Sequence, residues 1–505
     1  MRWRAKRLSI ALLSISFVGG LIVACGHGSD GIFDVTQGTV IQNTTVVNTR
    51  DGTLNNGQAV VIDGGKITRI APTANVRVSG SATAVDGTGK FLVPGFLDMH
   101  AHAMVHVDEN PSYFPLMVAN GITGFREMGA FPGQFPDMVS RAQQLNANSA
   151  AGRIDAPEVL LIPSDIFNGT NTAASAVQGV DQQKALGVDF IKVISANRDA
   201  MLAFLGESKR LGLPLAGHLT PAVSASESSQ LGWKSIEHLG SGIGILLDCT
   251  TNEVAMRQTM VAAAGLSAPA YASDTATLQE LLATYSNEKC LNLATTFVQN
   301  GTWNVPTLRR VKALETTDDP AFQTDPDLAY VDKIRLATWM QLERTFANLT
   351  PSNKAALRQT YALQQSVTKM LKQSGVKMLT VSDSGVASVW VVPGFGLHDE
   401  FHELATAGLS PLEILQMTTL NGAEFLNREE SMGTVETGKN ADLVLLEGNP
   451  IEDAANLDRI SAVLLKGRYL DKAVLAKMKS DVATAYKAST TPVTAAAIKA
   501  SLDAE

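Results

Sequence analysis

Between about Asp34 and Phe91 apolar and polar positions alternate with period two, as in TVVNTRDGTLNNGQAVVIDGGKITRI, and Asp-Gly, Asn-Gly and Gly-Gly pairs interrupt the alternation. β-Branched residues in alternation suit strands with one buried face, and such pairs supply the positive φ values of tight turns. GTVETGKNADLVLLEGNP and ISAVLLKGRYL repeat the texture near the other end. Two strand-rich stretches around a long middle predict one small β-sandwich built from both ends of the chain, residues 34–92 and 431–475. The middle, residues 93–430, has a different rhythm. LPLAGH and KSIEHL are short apolar runs separated by a helical stretch, and DFIKVI and VKMLTVSD each precede one. Strands alternating with helices predict an α/β fold on a parallel sheet, closed into a barrel or left open. The tail, residues 476–505, is rich in Ala, Lys and Thr and reads as a helix with a loosely ordered end.

The first residues belong to a different grammar. MRWRAKR is a positive n-region, and Leu8 to Ala24 form an apolar stretch that ends at Cys25. Small residues before a cysteine resemble the bacterial lipobox, which makes residues 1–25 a signal peptide, Cys25 a lipid anchor to the membrane and residues 26–33 a tether. An uncleaved anchor helix is the competing reading, at the short limit for a span. Gly26 after the cysteine fits outer-membrane sorting, as the lipoprotein resemblance implies. The expected location is the bacterial cell envelope, facing the periplasm, or the secreted fraction. Cys249 and Cys290 then remain in an oxidising compartment, either as a bridge or as two separate buried thiols.

Composition narrows the function classes only slightly. The chain has 505 residues, 45% hydrophobic and 18% charged, with a formal charge of −8. It can bury a large core, and it is too acidic to track a phosphate backbone, so no nucleic-acid partner is expected. No Gly-x-Gly-x-x-Gly follows an early strand, which excludes a Rossmann-type reductase.

Candidate chemistry concentrates at strand ends. His100 and His102 in VPGFLDMHAH are two apart, so along a strand both rings lie on one face. Two imidazoles converging from one strand suit Zn²⁺. His218 closes LPLAGH, His238 sits in SIEHLG, and Asp383 closes VKMLTVSD. Lys192 lies between Ile191 and Val193 in a run that should be buried, where an ammonium is costly unless paired or chemically altered. Chance accounts for any one of these positions and poorly for all six together.

This set resembles the amidohydrolase superfamily, in particular its binuclear, lysine-bridged branch related to imidazolonepropionase-like hydrolases, metal-dependent dipeptidases and ochratoxin amidases. VPGFLDMHAH is similar to the first-strand signature, NGITGFREMG to the second strand, DFIKVI to the lysine strand, LAGHLT and SIEHLG to the later histidine strands, and TVSDSG to the last. NVPTL, GLHDEF and MGTVETGKNADLVLLEGNP also resemble these hydrolases, so the likeness runs from about residue 34 to 470. It implies a (β/α)₈ TIM-like barrel and two divalent metal ions, with Zn²⁺ the first choice. His100 and His102 would hold one ion and His218 and His238 the other, a carbamylated Lys192 would bridge them, and Asp383 would ligate and move the proton. The implied reaction is cleavage of an amide or peptide C–N bond by a metal-bridging hydroxide, in an N-acyl amino acid, a dipeptide-like compound or an aryl amide. Hydrolysis of a cyclic amide, carbamate, ester or lactone on the same centre is the alternative, and a non-catalytic binding lipoprotein is the second. Deamination fits less well, because mononuclear deaminases have no use for a bridging lysine. A small-molecule substrate is expected, and a homo-oligomer is left open.

Several residues stand outside the ligand set. Relatives place a substrate-facing histidine where GLHDEF has His398, which makes His398 a candidate for contact with substrate and for a catalytic role. His106 is expected to line the pocket or face solvent, His402 to be structural, and His27 to be irrelevant in the tether. Glu127 stands where many relatives have Asp, with packing and not ligation expected to change.

Overall fold

The N-terminal stretch, rich in β-branched residues, folds into short strands. They are β1 (Phe33–Val35), β2 (Thr39–Val47), β3 (Leu54–Asp63), β4 (Lys66–Pro72), β5 (Val76–Val78), β6 (Thr83–Asp86) and β7 (Phe91–Pro94). The computed structural model describes residues 31–135, 137–264, 274–385 and 388–504. The signal segment, Cys25 and His27 lie outside the described residues. Gly64 and Gly65 link β3 to β4 with φ of +56° and +75°, the two positive values that a two-residue hairpin turn requires. Asp51-Gly52 turns the chain between β2 and β3, whereas Asn56-Gly57, read as a turn from sequence, falls inside β3.

After β8 (Phe96–Ala101), β9 (Ile122–Glu127), β10 (Glu158–Leu161), β11 (Ile191–Val193), β12 (Leu215–Gly217), β13 (Ser235–Glu237) and β14 (Trp303–Val305), the chain returns to the first sheet with β15 (Leu443–Leu446), β16 (Ile460–Leu465) and β17 (Arg468–Asp471). The order β17-β16-β15-β7-β2-β3-β4, with β6 beside β2, makes one eight-stranded sheet from both ends of the chain. β1 and β5 pair separately, and Val35 and Val78 pack on Val40, Ala59 and Val61. Leu92, Leu443, Leu445 and Leu464 on one face share a core with Ile41, Val60 and Ile67. Val93, Val444 and Leu446 point the other way and join Phe96 and Phe125 in the largest core, so the sheet is apolar on both faces.

The remaining strands are parallel. β8, β9 and β10 form a three-stranded sheet, and β11 to β14 form a four-stranded one. Parallel bridges Pro163–Phe190 and Phe167–Val193 join their neighbouring margins. VKMLTVSD is not a regular strand. It makes one parallel bridge, Met378–Asn304, and its backbone bonds run both to β14, with Asn304 N to Lys377 O at 3.0 Å, and to β8, with Met99 N to Thr380 O at 3.2 Å and Asp383 N to His100 O at 2.8 Å. Asp383 itself has φ +57°, which ends any extended run there. The fold is therefore mixed α/β.

Helices between the strands carry ordinary start and stop signals. Asn197 caps Arg198–Leu211 by accepting from Ala200 N, and Gly212 in the left-handed region ends it. The segment after β13 folds as helices Gly244–Asp248, Glu253–Ala264, Thr275–Thr284 and Asn287–Asn300, and Cys249 and Cys290 form a disulfide between them. Lys472–Ala488 is helical as expected, but the tail continues into a second helix, Ala495–Ala504, in place of a loose end. No helix among the described residues is long and apolar enough to cross a membrane.

Candidate metal centre

β8 delivers His100 at its C-terminal end and His102 just past it, and their rings lie 5.4 Å apart. β11 places Lys192 between Ile191 and Val193. Gly217, the last residue of β12, sits so close to β11 that a Cβ would meet Val193 O at 1.9 Å, and this approach lets His218 N donate to that carbonyl at 2.9 Å. His238 follows β13 and faces His218, with ring centroids 5.0 Å apart and planes at 78°. Asp383 closes the arc. All six side chains are buried and line one cavity of about 40 Å³ together with Phe131, Ile166, Ile194 and Arg310.

Three imidazoles are held from behind. His100 Nδ1 donates to Glu237 Oε2 at 2.8 Å and His102 Nδ1 to Gly129 O at 2.7 Å, since both acceptors lack a proton to give. His238 Nδ1 meets Thr307 Oγ1 at 2.9 Å. With Nδ1 engaged, the Nε2 atoms face the cavity, which is how protein scaffolds orient histidine ligands. Asp383 Oδ1 lies 2.9 Å from His100 Nε2 and 3.5 Å from His102 Nε2, and Oδ2 lies 3.7 Å from His238 Nε2. One ligand atom from each of His100, His238 and Asp383 falls within 4.8 Å of the others, close enough to share a cation. His218 Nδ1 is buried without a hydrogen-bond partner, an orphan that a metal ion would satisfy.

Burial lowers the pKa of His100 and His218, reinforced by the Lys192 charge, and burial likewise lowers that of His238. Neutral imidazoles offer lone pairs, which is the form a metal requires. Burial also pulls Lys192 down to about 8, against the opposing pull of Glu237 and Asp383. Burial would raise Asp383, but His238, His100 and Arg310 hold its carboxyl well below the usual range. His238, Leu239, Thr307 and Asp383 all have positive φ, and each such non-glycine residue costs on the order of 1 kcal/mol or more. Strain gathered around one cavity is typical of a functional site.

His398, expected to reach substrate, does not join this cluster. Its Nδ1 bonds Asp458 Oδ1 at 2.8 Å, its Nε2 bonds Asn120 O at 2.8 Å, and its ring packs edge-on against Phe96, at the far end of β8 from His100. Both ring nitrogens are spent on structure. His106 is buried against Tyr113 and bonds Glu109 at 2.6 Å, in a separate cleft with Arg335 and Tyr486. His402 pairs with Asp458 at 2.7 Å. Glu127 takes Met104 N at 2.8 Å and Gly129 N at 3.1 Å, so it shapes the loop after β8 and stays out of the cavity lining.

Sequence reasoning passed over Glu237, Thr307, Arg310 and Ser388. Arg126 forks onto Glu237 at 2.9 and 3.0 Å, and this pairing together with His100 outweighs burial to bring Glu237 down to about 2. The signal for Glu237 is an ionisable residue beside Ile236 in a short strand-like run that ends at a candidate ligand, His238. Arg310 and Ser388 carry no such signal.

Four likenesses bear on this geometry. Residues 332–470 match the model of the amidohydrolase family. N-acetylglucosamine-6-phosphate deacetylase of Lysinibacillus sphaericus is 32% identical over 130 residues, which are 24% of this chain and 31% of that protein. The match thus spans about a third of that relative's length. Among solved structures, bottromycin amidohydrolase aligns over 88% of this chain and 90% of its own at TM-score 0.67 and 20% identity. A Xaa-Pro dipeptidase with methionine in its active site aligns over 86% and 99% at TM-score 0.57 and 17% identity. The chain thus resembles the amidohydrolase family over residues 332–470 and shares the fold of these solved structures.

Proposed function

We propose that this chain is a metal-dependent hydrolase of an amide or peptide C–N bond. The observation that carries the reading is the convergence of His100, His102, Lys192, His218, His238 and Asp383 on one buried cavity. The same reading takes the two parallel sheets and residues 376–384 as the wall of a (β/α)₈ barrel, with the bridges and backbone bonds between them as seams. It also takes residues 34–92 and 431–475 as one unit built on the mixed sheet.

His100, His102 and Asp383 would hold one divalent ion, and His218 and His238 a second. Lys192 fits such a site poorly as an ammonium and well as a carbamate, whose oxygens could serve both ions. When bound, such ions polarise a carbonyl and make water acidic enough to ionise near neutral pH. The side chains do the rest. Glu237, Gly129 O and Thr307 fix the three imidazoles. Asp383, anionic and held at Oδ2 by Ser388, accepts a proton from the attacking water and returns it to the departing nitrogen. That return is needed because an amine leaves readily only when protonated.

A panel of N-acyl amino acids, dipeptides, aryl amides, lactones and carbamates tests the reading, run on wild type and Asp383→Asn. At least one C–N substrate should turn over, with kcat about 10³-fold lower in the variant. An equally active variant would assign the proton transfer elsewhere. The Cys249–Cys290 bridge supports an oxidising compartment, and with it the lipid anchor at Cys25. Cys25→Ser should release the enzyme from membranes, whereas an unmodified chain starting at Met1 in the cytoplasm would contradict the anchor.

A further inference from the structure

Arg310 is the cation of the cavity lining that lies outside the proposed ligand set; the other, Lys192, sits 3.5 Å from His100 Nε2. The turn that leads into it is held at two points. Thr307, with φ +51°, bonds His238 just before helix Leu308–Glu315, and Arg309 N donates to Glu400 Oε2 at 2.7 Å. The neighbouring Arg309 guanidinium turns away, to Trp390 O at 2.8 Å and Asp399 at 3.1 Å. Arg310 instead lines the cavity, with its side chain 12% exposed.

Among the described residues its ion-pair partner there is Asp383, with Nε 2.5 Å from Oδ2. That oxygen also accepts from Ser388 at 2.9 Å, while Oδ1 faces His100 and His102. A carboxylate divided in this way meets one edge of a guanidinium that presents five donors in a planar fork. A guanidinium held in so enclosed a place is stabilised by a second anion, and the fork matches the two oxygens of a carboxylate. We infer that Arg310 binds a carboxylate of the substrate next to the scissile bond. The substrates are then N-acyl amino acids or dipeptide-like compounds with a free carboxylate, and not neutral aryl amides. This inference rests on the hydrolase reading for the identity of the bond cleaved.

Calorimetric titration of the metal-loaded protein with 3-phenylpropanoate and 3-phenylpropanol, neither of which has an amide, tests the anion site directly. Wild type should favour the carboxylate about tenfold or more, and Arg310→Gln should reduce the ratio to near one with unchanged metal content. A carboxylate that bound through the metal ions would keep its full preference in Arg310→Gln and overturn the proposal. Equal affinity of wild type for both probes would also overturn it. Should the Gln variant lose metal, Arg310→Lys decides: several-fold weaker carboxylate binding with unchanged alcohol binding supports the site, and unchanged carboxylate binding overturns it. The two readings fail separately. Carboxylate preference without hydrolysis of any amide would sink the hydrolase and leave the anion site, and hydrolysis without preference would do the reverse.

Discussion

Lys192 and Glu237 show how far single residues could be read. Each is an ionisable side chain in a fully buried three-residue strand, and burying such a charge is costly without a partner. That argument drew Lys192 into the candidate site, and it applied equally to Glu237, which was hidden beside the more conspicuous His238. Thr307 and Arg310 were beyond such reasoning, because a hydroxyl and a guanidinium at a helix start have many uses and only the backbone turn at Thr307 aims them inward. Thr307→Val keeps the volume and removes the partner of His238 Nδ1. Metal affinity should fall about 10- to 100-fold in chelator competition. Unchanged affinity would show that the hydroxyl does not orient the ring.

At the scale of elements, helix Gly396–Thr406 is anchored through its histidines, and this explains why His398 misled. GLHDEF resembles a segment in which relatives place a substrate-facing histidine, but its His398 and the following His402 both clamp Asp458, within the 3-10 turn Ala454–Asp458. Burial alone would raise the Asp458 carboxyl, yet hydrogen bonds from the two histidines bring it down to about 2. The hydrogen bond to Asp458 raises His402 above its ordinary 6.5. A depressed carboxyl contributes stability above its unfolded value of 3.8 and loses it as pH falls toward 2. A raised histidine contributes stability below 6.5 and loses it as pH rises through its folded value. The clamp should therefore stabilise most between about pH 4 and 6.5. Thermal melts of Asp458→Asn across pH should show a smaller acid-side fall than wild type and a smaller decline above pH 6.5. Parallel curves would mean that the clamp is not linked to protonation.

For the whole molecule, β-branched runs broken by turn residues disclosed a β unit drawn from both ends of the chain, although its strands bury both faces and not every second residue. How its strands connect was not written there: β7 and β15 are about 350 residues apart, and their pairing follows from packing of both faces. VKMLTVSD looked like a strand because it is apolar and β-branched, and it bonds to β8 largely without forming a regular ladder. The convergence of six distant side chains was legible only as a pattern of strand ends. The central claim is that these six residues hold two divalent ions with Lys192 between them, and metal analysis of wild type and Lys192→Ala tests it most directly. The account predicts about two ions per chain in wild type and loss of metal and activity together in the variant, with partial recovery on adding short carboxylic acids. Full metal content and full activity in Lys192→Ala would contradict it.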